Sequence, residues 1–153
     1  MASGGVHLLS GFAIGAVTPS PTAAFAAGLA SHAVLDAVPH RDYVGFGANA
    51  IDGAAGLVLV GILAAGLPNG TRTRALAGAL GAVLPDAEVL AYRAGIISAE
   101  RKVFPTHTGR IRHGRGGAAW TAALSVLAVV AAIAAARSLR DTPRRSSSGR
   151  RRK

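Results

Sequence analysis

AAWTAALSVLAVVAAIAAA, residues 118–136, carries no charged side chain and is built mainly from Ala, Val, Leu and Ile. A helix needs about 20 predominantly apolar residues to cross a hydrocarbon core of about 30 Å, and this run meets that need. A second run, ANAIDGAAGLVLVGILAAGL at 48–67, is of similar length and is charged only at Asp52. Three weaker runs lie at 6–18, 22–38 and 75–92. The first is short, and the other two are shorter or broken by polar residues. The reading is an all-α integral-membrane helical bundle of about five transmembrane segments, forming one domain over residues 1–136. A mean hydropathy of +0.38, high for a soluble chain, agrees with it.

The connections between these runs are punctuated. Thr18-Pro19-Ser20-Pro21 cannot continue a helix, because each proline lacks an amide hydrogen and restricts the residue before it. Val38-Pro39-His40-Arg41-Asp42 ends the second run, and Pro68-Asn69-Gly70 is a turn signal. Residues 93–117 form the longest connection, basic and glycine-rich. Met1–Gly5 carries no basic side chain, so the start does not read as a secretory signal and the first segment is expected to remain.

The net charge of +10 is largely a matter of the tail. Residues 137–153 hold eight basic side chains against Asp141, with Ser, Gly and Pro and few apolar residues. That composition predicts a disordered polybasic tail that touches anionic headgroups and membrane lipids; nucleic acid is not the expected partner. If all five segments span, seven basic residues lie on one face and ten on the other, including the tail. Positive-inside counting then predicts a multi-pass protein of the cell membrane, its tail cytoplasmic.

Within these apolar surroundings sit ionisable side chains. A charge at the bilayer centre costs about 2.5–3.5 kcal/mol on insertion scales, so such groups pair, line a cavity or hold an ion. His7 opens the first segment, His32 and Asp36 fall late in the second, and His40 follows it. Asp52 opens the third, Asp86 and Glu88 lie late in the fourth, and His107 and His113 follow that one. With five spans all of these reach the same, extracytoplasmic, face. His32 and Asp36 are four apart and share a helical face, with His40 continuing the series. Pro85 bends or breaks its helix, and Asp86 and Glu88 point about 200° apart, so only one of them need face an ion.

There is no cysteine, so any metal is held by nitrogen and oxygen. The expected ligands are His7, His32, Asp36, His40, Asp86, His107 and His113. The ion is a divalent metal, zinc first, with manganese or magnesium as alternatives. Glu88 and Asp52 are the candidate proton acceptors. Arg110 and Arg112 suit a phosphate or carboxylate. No HExxH, P-loop, nucleophile-elbow or dinucleotide pattern occurs, which narrows an enzyme reading to metal-assisted hydrolysis.

Together His7, His32-x-x-x-Asp36-x-x-Pro39-His40, Pro85-Asp86-x-Glu88, and Phe104-Pro105-x-His107-x-Gly109 with His113 resemble a family of small integral-membrane proteins. These are bacterial and archaeal and are classed as membrane-bound metal-dependent hydrolases. The resemblance covers residues 6–113 and departs from the commonest pattern at Pro85-Asp86-Ala87-Glu88 and at His107-Thr108-Gly109-Arg110. It implies hydrolysis of a phosphoester or acyl bond, with a lipid or lipid-linked substrate suggested by a site at the membrane edge. The alternatives are a metal-ion or proton transporter, for which the same cluster is a transit site, and a small structural membrane protein whose polar groups pin helices together.

Overall fold

A computed structural model describes residues 4–41 and 46–140. Six α-helices follow in order: α1 Gly4–Val17, α2 Pro21–Ala37, α3 Phe46–Ala65, α4 Asn69–Val83, α5 Asp86–Arg93 and α6 Ala118–Arg140. A 3-10 turn at Ala99–Arg101 lies in the long connection, and no strand occurs among the described residues. The predicted all-helical class is what forms. Helix runs through Arg140, past the expected start of the tail at 137; residues 141–153, the rest of that tail, lie outside the described residues, as does Asp42.

Local chemistry sets the boundaries. Ser20 caps α2, its Oγ accepting from the Ala23 amide at 3.2 Å, and Pro21 occupies the first turn, where its missing hydrogen costs nothing. At the other end Val38 turns extended ahead of Pro39. The run at 75–92 is two helices, α4 and α5, bent by 42° at Leu84-Pro85. Arg72 closes the C-terminus of α3, donating to the carbonyls of Ala64, Ala65 and Leu67 at 2.9, 3.2 and 3.0 Å.

The expectation of five spans is not met. Two helices are long and apolar enough to cross a membrane, at Gly47–Ala65 and Ala118–Arg140, and a third arises only if the bent α4–α5 pair is one span. The reason is burial. Helix α1 is the centre of the bundle, packed by α2, α3, α4 and α6, and its Val6, Leu8, Leu9, Phe12 and Ala16 are buried in protein. Fourteen residues of helix reach only about 21 Å, and their apolarity serves the core. Helices α3 and α6 are different. Ile51 and Ile62 of α3 are 74% and 62% exposed, and Leu127 of α6 is 64% exposed, while Ala128, Ala132 and Ala136 form the buried edge of α6.

Helices α1, α2 and α4 cross at backbone distance. A Cβ on Gly78 of α4 would collide with the Gly11 carbonyl of α1, and one on Gly28 of α2 would collide with the Gly78 carbonyl. Small residues at such crossings let helices gain contact that apolar lipid does not supply. Gly78→Ala is therefore expected to lower the unfolding midpoint of the detergent-solubilised protein, with a cost of about 1–3 kcal/mol from overpacking. Gly53→Ala, whose added Cβ would meet nothing within 4 Å, is the control. Equal midpoints for the two variants would contradict this account of the crossing.

Candidate metal centre

The antiparallel α1–α2 hairpin places the start of α1 beside the end of α2, and α4 ends against both. Three polar groups meet there in a dry environment: His7, His32 and Asp36 are 0%, 0% and 1% exposed. The His7 and His32 rings stack with centroids 3.9 Å apart, and His7 Nε2 lies 3.4 Å from Asp36 Oδ1. Residues 104–107 close the cluster from the long connection. Thr106, itself buried, donates its hydroxyl to Asp36 Oδ2 at 2.6 Å, and His107 Nε2 lies 3.4 Å from the same oxygen.

The far nitrogens of three histidines are tied to acceptors. His32 Nδ1 is 2.6 Å from the Ala82 carbonyl, His40 Nδ1 is 2.8 Å from the Val38 carbonyl, and His107 Nδ1 is 2.8 Å from Glu88 Oε1. Oxygen acceptors of this kind require the Nδ1 atoms to carry the hydrogens, which leaves each Nε2 as the coordinating nitrogen. Ala82 is available because it sits in the last turn of α4, where helix carbonyls lose their partners before the Pro85 break. The proline thus supplies the hydrogen-bond acceptor that orients His32.

His32 Nε2, His107 Nε2 and Asp36 Oδ2 form a nearly equilateral triangle. Its sides are 3.3 Å from His32 to Asp36, 3.4 Å from His107 to Asp36 and 3.4 Å between the histidines. A tetrahedral ion with bonds of about 2.0–2.2 Å spaces its ligands about 3.3–3.6 Å apart. Two facing imidazole lone pairs and a carboxylate at this spacing repel one another unless a cation or a proton lies between them. Asp86 Oδ1 is 3.9 Å from His32 Nε2. The donors also fit a metal by what they lack: both ring nitrogens of His7 and Oδ2 of Asp86 are buried with no hydrogen bond. Three groups have ligand atoms within 4.8 Å of one another, namely His7–His32–Asp36, His32–Asp86–His107 and Asp36–His40–His113. This buried His/Asp cluster can hold a metal ion. In the metal-free protein burial disfavours a charge on His107, but the carboxylates of Asp36 and Glu88 outweigh it and hold its pKa above the ordinary histidine range.

All seven expected ligands are therefore at one end of the bundle. His40 arrives differently than expected. The helix stops at Ala37, so His40 does not continue the His32–Asp36 face; it comes in from the extended segment beyond and meets His113, Nε2 to Nε2, at 3.1 Å. That pairing is held by backbone bonds, the Gly114 amide to the Asp36 carbonyl at 2.7 Å and the Gly116 amide to the His40 carbonyl at 2.8 Å. A side chain at Gly114 would strike the Val38 carbonyl.

The proposed proton acceptors stand elsewhere. Glu88 lies behind His107, and its carboxylate also accepts from the Val103 and Phe104 amides at 2.8 and 3.1 Å. It orients a ligand. Asp52 accepts from the Gly5 amide at 2.8 Å, a carboxylate at the N-terminus of α1. Of the two arginines, Arg112 lines a pocket of about 450 Å³ with His113 and Arg115, whereas Arg110 is exposed and not part of its wall. Thr106 and Phe104 were not expected at the site. Phe104 presents its ring at right angles to His32, centroids 5.0 Å apart. For Thr106 the sequence signal is adjacency to His107, and for Phe104 it is its place in the Phe104-Pro105-x-His107 element.

Comparison with models of protein families, with curated proteins and with solved structures gives no match to this chain. Geometry carries the functional argument. Because Glu88 accepts from His107 Nδ1 behind the cluster, Glu88→Gln is expected to weaken metal affinity by about 10–100-fold while helix content by circular dichroism stays unchanged. An unaltered affinity would show that the Glu88–His107 bond has no part in metal binding.

Proposed function

We propose that this chain is a membrane-bound hydrolase that uses a divalent ion, zinc in preference to magnesium, to cleave a phosphoester or acyl bond of a lipid or lipid-linked substrate. The observation that carries the reading is the triangle of His32, Asp36 and His107, with the back of each histidine tied to an oxygen acceptor. Mixed nitrogen and oxygen donors at this spacing suit zinc, while magnesium favours all-oxygen octahedra. The ion supplies Lewis acidity toward water and toward the bond to be cleaved. His32, Asp36 and His107 would hold it, with His7 and Asp86 beside them to complete the shell. Asp86 would turn Oδ1, the oxygen nearer His32, toward the ion, which leaves Oδ2 of the same carboxylate, buried and without a hydrogen bond, to accept a proton.

The surroundings favour a lipid. An apolar groove of about 620 Å³ runs between α1, α2 and α6, with Ser31 and Leu35 of α2 in its wall. Pro39, in the extended segment just past the end of α2, lines a separate pocket with Arg112, His113 and Arg115. An acyl chain in the groove would bring an anionic headgroup to two guanidinium groups beside the cluster. With α3, the bent α4–α5 pair and α6 as three spans, the protein would sit in the cell membrane as a multi-pass chain, its basic tail on the cytoplasmic side and its cluster on the other.

The test uses the full chain in lipid nanodiscs. Hydrolysis of phospholipid and of long-chain phosphate and acyl esters should require zinc, cease with a chelator and return on adding the ion back. His32→Ala should lose both bound metal and activity, by more than the 10–100-fold that an outer hydrogen bond costs. Bound metal with no hydrolysis, together with uptake of the ion into sealed vesicles, would replace this reading with transport.

A further inference from the structure

The cluster has more ligands than one ion can use, and their grouping divides them. His32–Asp86–His107 and Asp36–His40–His113 each bring three potential ligand atoms within 4.8 Å of one another, and the two groups share no residue. An ion held by His32, Asp36 and His107 leaves His40 and His113 unused. Asp36 stands between the two groups, with Oδ2 at 3.3 and 3.4 Å from the Nε2 atoms of His32 and His107 and at 3.8 Å from Nδ1 of His113.

We propose that the centre holds two divalent cations bridged by the Asp36 carboxylate. This rests on the metal-dependent reading above and extends it to a second ion position, made by His40 and His113 with Asp36. Paired ions of this kind lie about 3.5–4 Å apart, a separation one carboxylate spans. Each of the three residues offers one ligand atom within 4.8 Å of the others; His113 would use one ring nitrogen, Nε2 facing His40 at 3.1 Å or Nδ1 facing Asp36 at 3.8 Å, and the Val38 carbonyl holds the back of His40. Charge agrees. A single dication leaves Asp36, Asp86 and Glu88 in excess, whereas two reverse the sign, which suits an anionic substrate entering past Arg112 and Arg115. The positions are unequal: the side chain of His113 is 29% exposed and that of His107 only 6%. The second ion is the exchangeable one, facing the pocket.

The experiment is elemental analysis of the full-length protein in detergent, loaded with zinc and desalted, alongside chelator-driven release followed by stopped flow. Two zinc ions per chain and two release phases are expected for the wild type. His113→Ala and His40→Ala should each keep one ion and lose the faster phase, with helix content by circular dichroism as the check on folding. One ion and a single phase in the wild type would overturn the second position while leaving the metal-dependent reading intact. Zero bound metal would defeat both. Should both variants misfold, the wild-type stoichiometry and release phases decide alone.

Discussion

The close crossing of α1 and α2 against α4 is the constraint on which the centre depends. Gly11, Gly28 and Gly78 remove the side chains that would hold these helices apart, and backbone carbonyls take the vacated space. Only at that separation can His7 stack on His32 and can the Ala82 carbonyl of α4 reach His32 Nδ1. The geometry of the cluster is thus inherited from contacts between residues with no chemistry of their own. The glycines bring the helices together, and the Pro85 break then exposes the carbonyl that aims the imidazole.

Polar groups in this protein are arranged in layers. Asp36 is reached from α1 through His7, from its own helix through His32, and from the long connection through Thr106, His107 and His113. Behind that layer stand oxygen acceptors, two backbone carbonyls and Glu88, each fixing one ring. Leaving such rings and carboxylates in a dry interior without a cation is costly, since burial penalises polar groups that lack partners. That cost is the physical argument for a metal.

Much of this was legible in the sequence, and the failures have physical causes. Histidines and carboxylates stood out because their neighbours are Ala, Leu and Val, and helix punctuation at Pro19, Pro39 and Pro85 was read where it occurs. The number of spans was not legible. A helix buried in protein and a helix facing lipid are both apolar, and α1 belongs to the first kind. Their convergence at one end needs no five-fold crossing, because an antiparallel hairpin gives the same result. The path of residues 104–116 was hidden too: that Arg115 accompanies Arg112, that Thr106 bonds Asp36, and that Glu88 turns toward His107 all follow from loop geometry, which periodicity does not encode.

The order of these residues along the chain has a consequence for biogenesis. The cluster draws its members from His7 in α1 to His113 just before α6, so helices α1 to α5 and most of the long connection must be made before the site can close. Early helices leave synthesis carrying bare imidazoles and a bare carboxylate, and the segment that completes them follows only after α5. An ion bound at that point ties residues about a hundred positions apart, and closing so long a loop removes entropy from the unfolded chain as a cross-link does. Capture of an ion would then be a late step of folding, and metal supply would set how much of the newly made protein becomes resistant to unfolding.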